Sequence, residues 1–339
     1  MYELIQAAGN SYYIQSPAKI GLVRLNEKEV CLIDSGNDKN AGRKVRQILD
    51  ANGWRLTAIY NTHSHADHIG GNQYLQKQTG CRIYAPGIEC SYTRHPILEP
   101  VSLYGGCPPK DLRHKFLMAQ QSEAEYLTEA ALPKHASDDE SNHIFKDNQA
   151  DNSADKPGGF SDGGRILKSV EESGEKSAHS ILEIIPLPGH CFEMAGFRTA
   201  DDVVYLADCL SSRETLEKYQ IGYIYDVAAY LDTLDKVRSL KAKLFIPSHA
   251  EPTQEIAPLA ELNIAKVCEI GEKIVDICSS PASFEQILQK LFTEYHLQMN
   301  FEQYVLVGST VRSYLAWLKD GERIDVEFRE NMAYWSACR

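Results

Sequence analysis

The feature that most constrains this chain is a short segment with three imidazoles and one carboxylate, His63, His65, Asp67 and His68. In an ordinary core each of these side chains would need its own hydrogen-bond partner. A divalent cation satisfies all four at once, through imidazole nitrogens and a carboxylate oxygen. The segment follows the apolar run 56–60, which is typical of a strand. At the end of a strand, His63 and His65 point the same way because they are two positions apart, whereas the adjacent Asp67 and His68 point in different directions. The spacing therefore predicts two metal ions side by side.

Three further candidate ligands follow apolar, strand-like stretches elsewhere in the chain. His190 comes after the run 184–189, Asp208 ends the run 203–207, and His249 ends the run 244–248. A single polar residue after a strand is usually a cap or a turn residue. Because α/β folds gather their sites where strand ends converge at one edge of a sheet, the combination favours one shared site.

These motifs, in this order, resemble the metallo-β-lactamase superfamily, and within it the glyoxalase II-like hydrolases, from about Tyr13 to His249. The resemblance implies an αββα sandwich with two bound metal ions. It implies the following ligands: His63, His65 and His190 for one ion; Asp67, His68 and His249 for the other; and Asp208 bridging the two. It also implies that Asp34 orients a ligand imidazole without touching metal, although on local sequence alone Asp34 also fits a turn.

The 339 residues exceed one compact domain of usual size. We predict a catalytic domain over 1–253 and a C-terminal helical, winged-helix-like accessory domain over 254–339. Within the second, a capping box at Ser283 opens one helix, another ends near Gly321, and a hairpin follows. Segment 134–180, rich in Asp, Ser, Asn and Gly, is predicted to be a solvated insertion rather than a lid. A single helix is predicted from Asp67 to Gln78, stopped by Gly80.

Composition restricts the partners and the location. Nine scattered cysteines, with no signal-like N-terminus and no transmembrane run, favour a reducing cytoplasm and no membrane contact. The net charge of −12 argues against a nucleic-acid substrate, because such partners usually require a basic surface. A small-molecule substrate fits better, and the sequence leaves a homodimer open.

The leading hypothesis is a dinuclear metal-dependent hydrolase in which a metal-bridging hydroxide attacks a small acyl substrate, a thioester, ester or lactone. Asp67 and Asp208 are the predicted catalytic carboxylates. Zn²⁺ is the first choice of ion, and Mn²⁺ or Fe²⁺ also suit these ligands. The alternatives are a phosphodiesterase or endoribonuclease of the same fold, an iron-dependent oxidoreductase of the same superfamily, and a non-catalytic binding protein.

Five residues are candidates for the substrate pocket, all in loops expected near the metals. They are Tyr104, His95, His114, Tyr223 and Tyr225. Each fits equally well as a loop residue packed on the surface, so only the folded structure can place them.

Overall fold

The computed structural model describes residues 2–134 and 180–338. Its larger sheet has seven strands lying side by side in chain order. They are β1 (Glu3–Ala8), β2 (Ser11–Gln15), β3 (Ile20–Arg24), β4 (Glu29–Ile33), β5 (Arg55–Tyr60), β6 (Arg82–Ala85) and β7 (Glu125–Tyr126). The first four pair antiparallel, and β4 to β7 pair parallel, so the carboxyl ends of β4, β5 and β6 share one edge.

A second sheet has four strands in the spatial order β11, β10, β9, β8. They are β8 (Leu182–Pro186), β9 (Ala195–Thr199), β10 (Val203–Ser211) and β11 (Leu244–His249). Strand β10 pairs parallel with β11 and antiparallel with β9. A third, two-stranded sheet is the antiparallel hairpin β12 (Ile324–Arg329) and β13 (Met332–Ala337).

The α-helices cover the outer faces of the two large sheets and form most of the C-terminal region. They are α1 (Lys39–Ala51), α2 (Ala66–Ile69), α3 (Asn72–Thr79), α4 (Gly87–Arg94), α5 (Leu98–Tyr104), α6 (Arg213–Tyr219), α7 (Val227–Ser239), α8 (Ala257–Ile277), α9 (Phe284–Glu294) and α10 (Phe301–Asp320). Short 3₁₀ helices lie at Lys110–Leu112 and Glu129–Ala131. None of the helices in the described ranges is both long enough and apolar enough to cross a membrane.

Apolar layers on both sides of each large sheet hold the sandwich together. Ile33 of the first sheet and Phe197 of the second belong to the core between the sheets. Leu49 of α1 packs in the core outside the first sheet, and Leu234 of α7 in the core outside the second. Burying such side chains contributes about 1.5–3 kcal/mol each. The layer order is helix, sheet, sheet, helix, so the predicted αββα sandwich is confirmed.

The C-terminal region has the predicted order of elements. Ser283 forms a capping box with Gln286 at the start of α9, α10 ends before Gly321, and the hairpin follows. However, Ile274 of α8 and Leu315 of α10 lie in the same hydrophobic cluster as Leu234 of α7. Since one continuous core joins the two regions, the domain boundary at 253 stays a prediction.

The predicted helix from Asp67 to Gln78 is wrong in one respect, because the chain forms two helices, α2 and α3, interrupted at Gly70 and Gly71. A Cβ added at Gly70 would lie 2.3 Å from the backbone of Asn37, and one at Gly71 would lie 2.3 Å from the carbonyl oxygen of Ser35. The loop after β4 thus crosses directly over both glycines. This close approach separates the helix that carries Asp67 from the one that packs on the sheet. Gly80 ends α3 in the left-handed conformation, as predicted.

Most of the predicted polar insertion, 134–180, lies outside the described residues. The prediction that it is a solvated insertion rather than a lid therefore stays a prediction. Its two ends are described. Lys134 and Ser180 pair through an antiparallel backbone bridge. The chain therefore leaves and re-enters the sandwich at one place.

Candidate metal centre

The seven predicted ligands come from four separate parts of the chain. His63 and His65 follow β5, and His65 precedes α2, which carries Asp67 and His68. The remaining three are His190 in the loop after β8, Asp208 in β10 and His249 at the last residue of β11. The structure brings all seven to one edge of the sandwich, in two groups of four whose potential ligand atoms lie within 4.8 Å of one another.

The first ligand group is His63, His65, His190 and Asp208. The Nδ1 atom of His65 lies 3.0 Å from Nε2 of His63 and 3.0 Å from Nε2 of His190. Burial lowers the pKa of His65 and of His190 to about 4, and it lowers the pKa of His63 well below the usual range. At neutral pH these rings are therefore uncharged, which is the form that binds a cation.

The outer nitrogens of these three rings face hydrogen-bond acceptors. His190 Nδ1 lies 3.0 Å from the carbonyl oxygen of Tyr223, and His65 Nε2 lies 3.4 Å from Oε1 of Glu99. His63 Nδ1 lies 3.0 Å from Oγ1 of Thr62. Because each outer nitrogen can donate its proton, the inner nitrogen keeps its lone pair. Three lone pairs directed at one point fit a positive ion.

The second ligand group is Asp67, His68, Asp208 and His249, so Asp208 belongs to both. His249 Nε2 lies 3.2 Å from Oδ2 of Asp67 and 3.2 Å from Oδ2 of Asp208. His68 Nε2 lies 3.0 Å from Oδ1 of Asp208. Both of these last two atoms are buried without a hydrogen bond of acceptable geometry among the described residues. Buried polar atoms without partners are costly, and a bound divalent cation would satisfy both.

Asp34 connects the two ligand groups from behind. Its carboxylate accepts hydrogen bonds from the backbone N–H of Thr62 (2.8 Å) and from the Thr62 hydroxyl (2.7 Å). It also lies 2.8 Å from Nδ1 of His68. Asp34 therefore orients His68 directly and orients His63 through the hydroxyl of Thr62. Asp34 has φ of +63°, a left-handed conformation that aspartate and asparagine tolerate better than most residues.

The position of Asp208 differs from the prediction that it ends its strand. Strand β10 continues to Ser211, and its register with β11 shifts on both sides of Ala207. Ala207 has φ of +52°, outside the usual strand region. Such an irregularity bends a strand and redirects its side chains. We attribute the placement of Asp208 between the two ligand groups to this bulge.

Of the five candidate pocket residues, Tyr223 lies closest to the ligands. Its ring centre is 5.3 Å from that of His65 and 5.7 Å from that of His190. Tyr225 is 45% exposed and packs on Phe192 at the rim of a groove that Tyr223 also lines.

The other three candidates contact the C-terminal region or solvent. Tyr104 packs on Phe301 of α10, and His114 Nε2 lies 2.6 Å from Oε1 of Glu302. His95 is exposed at the end of α4. None of the three lines the cavity beside the ligands.

That cavity, here called the inner cavity, has a volume of about 70 Å³. His190, Asp208 and His249 are among the residues that line it. Its wall includes Lys266, Val267 and Ile270 of α8 and Tyr314 of α10, none of which was among the predicted site residues. The C-terminal helices thus complete a space that opens on the ligand groups.

Two buried glutamates were also missed. Glu99 lies beside His65, and burial, with Glu89 and Asp67 nearby, raises the pKa of its carboxyl to about 8. Glu89 accepts hydrogen bonds from the backbone and hydroxyl of Ser64 and from the backbone of Phe192. It therefore fixes the loop between His63 and His65 against the loop after His190. Both lie on short helices, where a glutamate ordinarily faces solvent, so no sequence signal pointed to them.

Comparison with known proteins agrees with this geometry. The sequence profile of the metallo-beta-lactamase superfamily matches residues 9–249, and the chain belongs to that superfamily. Membership together with the two ligand groups implies that the site holds divalent metal ions. A hydroxyacylglutathione hydrolase from Methylococcus capsulatus is 54% identical over 39 residues, a match that spans 12% of this chain and only 15% of that protein.

Two solved structures share the fold over nearly the whole chain. A beta-lactamase domain protein from Burkholderia ambifaria superposes with a TM-score of 0.64 at 14% identity, covering 99% of this chain and 94% of that one. A metallo-beta-lactamase family protein from Thermus thermophilus superposes with a TM-score of 0.63 at 14% identity, covering 100% of this chain and 98% of that one. At these identities the likeness establishes the fold alone.

The charge on His249 predicts how the stability of the metal-free protein depends on pH. Asp208 raises the pKa of His249 to about 10, and Asp67 adds to this although burial opposes it. A raised pKa stabilises the fold fully below the unfolded value of about 6.5, and that contribution is lost as the pH rises through the folded value. As the pH rises from about 6.5 to about 10, we expect the Tm of the metal-free wild type to fall more steeply than the Tm of a His249→Gln variant. Thermal denaturation across this range with chelator present tests it, and parallel profiles would contradict it.

Proposed function

We propose that this protein is a hydrolase that uses two divalent metal ions to cleave a small acyl substrate, with thioesters as the first choice. The observation that carries the proposal is the shared position of Asp208, which places two four-residue ligand groups next to each other. Family membership supports metal-dependent chemistry. The name of the Methylococcus relative, a hydroxyacylglutathione hydrolase, supports the thioester.

The donor set favours Zn²⁺, since five imidazoles and two carboxylates are ligands that zinc accepts readily. Mn²⁺ and Fe²⁺ accept the same donors. When bound, a pair of such ions acts as a Lewis acid and lowers the pKa of water toward neutrality, which supplies a nucleophile. Asp208 would contact both ions, and the remaining ligands would divide between them as the two groups do.

The residues around the ions have distinct tasks in this proposal. The side chain of Asp67 is 41% exposed and that of His249 is 30% exposed, so the second ligand group is the more open one. Although burial opposes it, His68 and the hydrogen bond from His249 lower the pKa of Asp67 to about 2. Asp67 is therefore an ionised acceptor at neutral pH, able to orient a water molecule or take a proton from it. Tyr223 and the walls of the inner cavity would exclude bulk water from the opposite side.

The proposal is tested with metal-loaded protein against matched thioesters, esters and lactones, with a phosphodiester and an RNA as competing classes. We expect thioester turnover that a chelator abolishes and that added Zn²⁺ restores. Turnover of the phosphodiester or RNA alone would replace the proposal with a phosphodiesterase or nuclease. Oxygen uptake that depends on iron, without hydrolysis, would replace it with an oxidoreductase.

A further inference from the structure

Glu89 is a buried glutamate whose carboxylate joins two loops of the metal centre. It lies in α4, the helix that follows β6, and is 1% exposed. Its Oε2 atom accepts hydrogen bonds from the backbone N–H of Ser64 (3.1 Å) and from the Ser64 hydroxyl (2.5 Å). Its Oε1 atom accepts from the backbone N–H groups of Phe192 (3.1 Å) and Glu193 (3.3 Å). Four hydrogen bonds to one side chain thus hold two distant segments together.

These two loops carry the three imidazoles of the first ligand group. Ser64 separates His63 from His65, and Phe192 lies two positions after His190. The Nδ1 atom of His65 lies 3.0 Å from Nε2 of His63, on its own loop, and 3.0 Å from Nε2 of His190, on the other loop. Movement of one loop against the other would therefore separate nitrogens that must meet at a single ion.

Two further contacts join the loop after His190 to α4, and both are less buried than Glu89. Glu193 Oε2 accepts a hydrogen bond from the backbone N–H of Ile88, at the start of the helix (2.5 Å). The rings of Tyr92 and Phe192 pack with their centres 5.4 Å apart. Water can replace an exposed hydrogen bond, whereas buried donors that lose their acceptor stay unsatisfied. The Glu89 carboxylate is therefore the contact that the two loops cannot replace.

The chemistry of the contact requires a carboxylate. All four groups that face Glu89 are N–H or O–H donors, so both of its oxygens must accept. A side-chain amide of the same size has one accepting oxygen and one donating NH₂ group, so it accepts from one loop and presents donors to the other. Hydrogen bonds to an ionised acceptor are also about twice as strong as neutral ones.

We propose that Glu89 is a positioning residue of the metal centre, which fixes the distance between the two loops and thereby the affinity of the first ligand group for its ion. Among the described residues, the hydrogen bonds of its carboxylate go to these loops and not to Asp67, His68 or His249 of the second group. Asp34 differs in this respect, because it supports both groups. The proposal concerns how the ions are held and does not depend on which substrate is cleaved.

The test measures the two metal affinities of full-length Glu89→Gln by competition with a chelator of known affinity, with Zn²⁺ as the probe. We expect one binding step to weaken by about 10- to 100-fold, the usual effect of losing a partner that orients ligands, and the other to stay at the wild-type value. His249→Gln, which removes a ligand of the second group, identifies the step that belongs to that group. Glu89→Gln should weaken the other step. Equal weakening of both steps, or of neither, overturns the proposal.

Co²⁺ substitution provides a readout that a general loss of stability would not move. The visible spectrum of bound Co²⁺ depends on the geometry of its ligands, so Glu89→Gln should change the spectrum of one equivalent of Co²⁺ and leave that of the other as in the wild type. A lower Tm together with wild-type spectra and wild-type affinities would show that Glu89 only stabilises the fold, and the proposal would fail.

The matched control is Glu193→Gln, which alters the same loop and its contact with the same helix. Glutamine keeps an oxygen that accepts from Ile88, so both affinities should stay at the wild-type values. A loss equal to that of Glu89→Gln would mean that any change at α4 loosens the site, which contradicts a specific role. Ser64→Ala removes one of the four hydrogen bonds and should weaken the same step by less. Should Glu89→Gln fail to fold, unchanged affinities in Ser64→Ala would overturn the proposal.

Discussion

Replacing Asp208 with asparagine is expected to lower kcat/KM by about a thousandfold, because in the proposed function several kcal/mol of charge stabilisation depend on metals that this residue would hold. Asp208 is the one residue present in both ligand groups. Asparagine has the same size but no charge, and its amide nitrogen cannot bind a cation. The change therefore removes one of the two side-chain oxygens and the negative charge that both groups share. Metal content by elemental analysis and steady-state kinetics on the best substrate measure the result.

The control for this prediction is Asp202→Asn. Asp202 lies just before β10, forms a salt bridge with Arg198, and has a φ of +63° that asparagine tolerates. It takes no part in either ligand group, so metal content and kcat/KM should stay at the wild-type level. An Asp208→Asn protein that retains two ions and full activity would show that the carboxylate is not shared between metals.

Asp34→Asn is expected to weaken the binding of both metal ions by about 10- to 100-fold, the usual effect of removing a partner that orients the ligands. Asparagine accepts the left-handed backbone at this position, so the fold should be kept. Its neutral amide, however, is a weaker acceptor for Thr62 and His68 than the carboxylate. Competition titrations against a chelator of known affinity measure each ion in turn.

Thr62→Val provides a graded comparison for Asp34→Asn. Valine keeps the branched shape of threonine but loses the hydroxyl that links Asp34 to His63. The contact between Asp34 and His68 remains. We expect Thr62→Val to lower the affinity for one ion only, the one that His63 would bind. If Asp34→Asn and Thr62→Val have the same effect on both ions, Asp34 does not act separately on the two groups.

The predicted ligand set could be proposed from sequence because its members are chemically unusual where they occur. Four of them fall within one segment, His63 to His68, and three more follow apolar, strand-like stretches. Strands that run parallel end at a common edge, so residues far apart in sequence could be assigned to one site. The αββα layers followed from the resemblance and were confirmed.

The details that sequence missed depend on packing between distant segments. The apolar run 203–207 gives no sign that Ala207 adopts a positive φ and redirects Asp208. The break at Gly70 and Gly71 depends on a loop that precedes them by a full helix and strand. The predicted pocket residues were chosen because their loops were expected beside the metals, whereas α8 and α10 supply much of the cavity wall.

The distribution of the site along the chain affects how such a protein can diversify. Every metal ligand in the two groups precedes residue 250, while Tyr314 and Val267 lie beyond it. In the proposed function, mutations in the last quarter of the polypeptide would therefore alter the wall of the inner cavity while the residues that hold the ions stay in place. A new substrate preference would then arise by drift in one segment, without loss of the metal ligands.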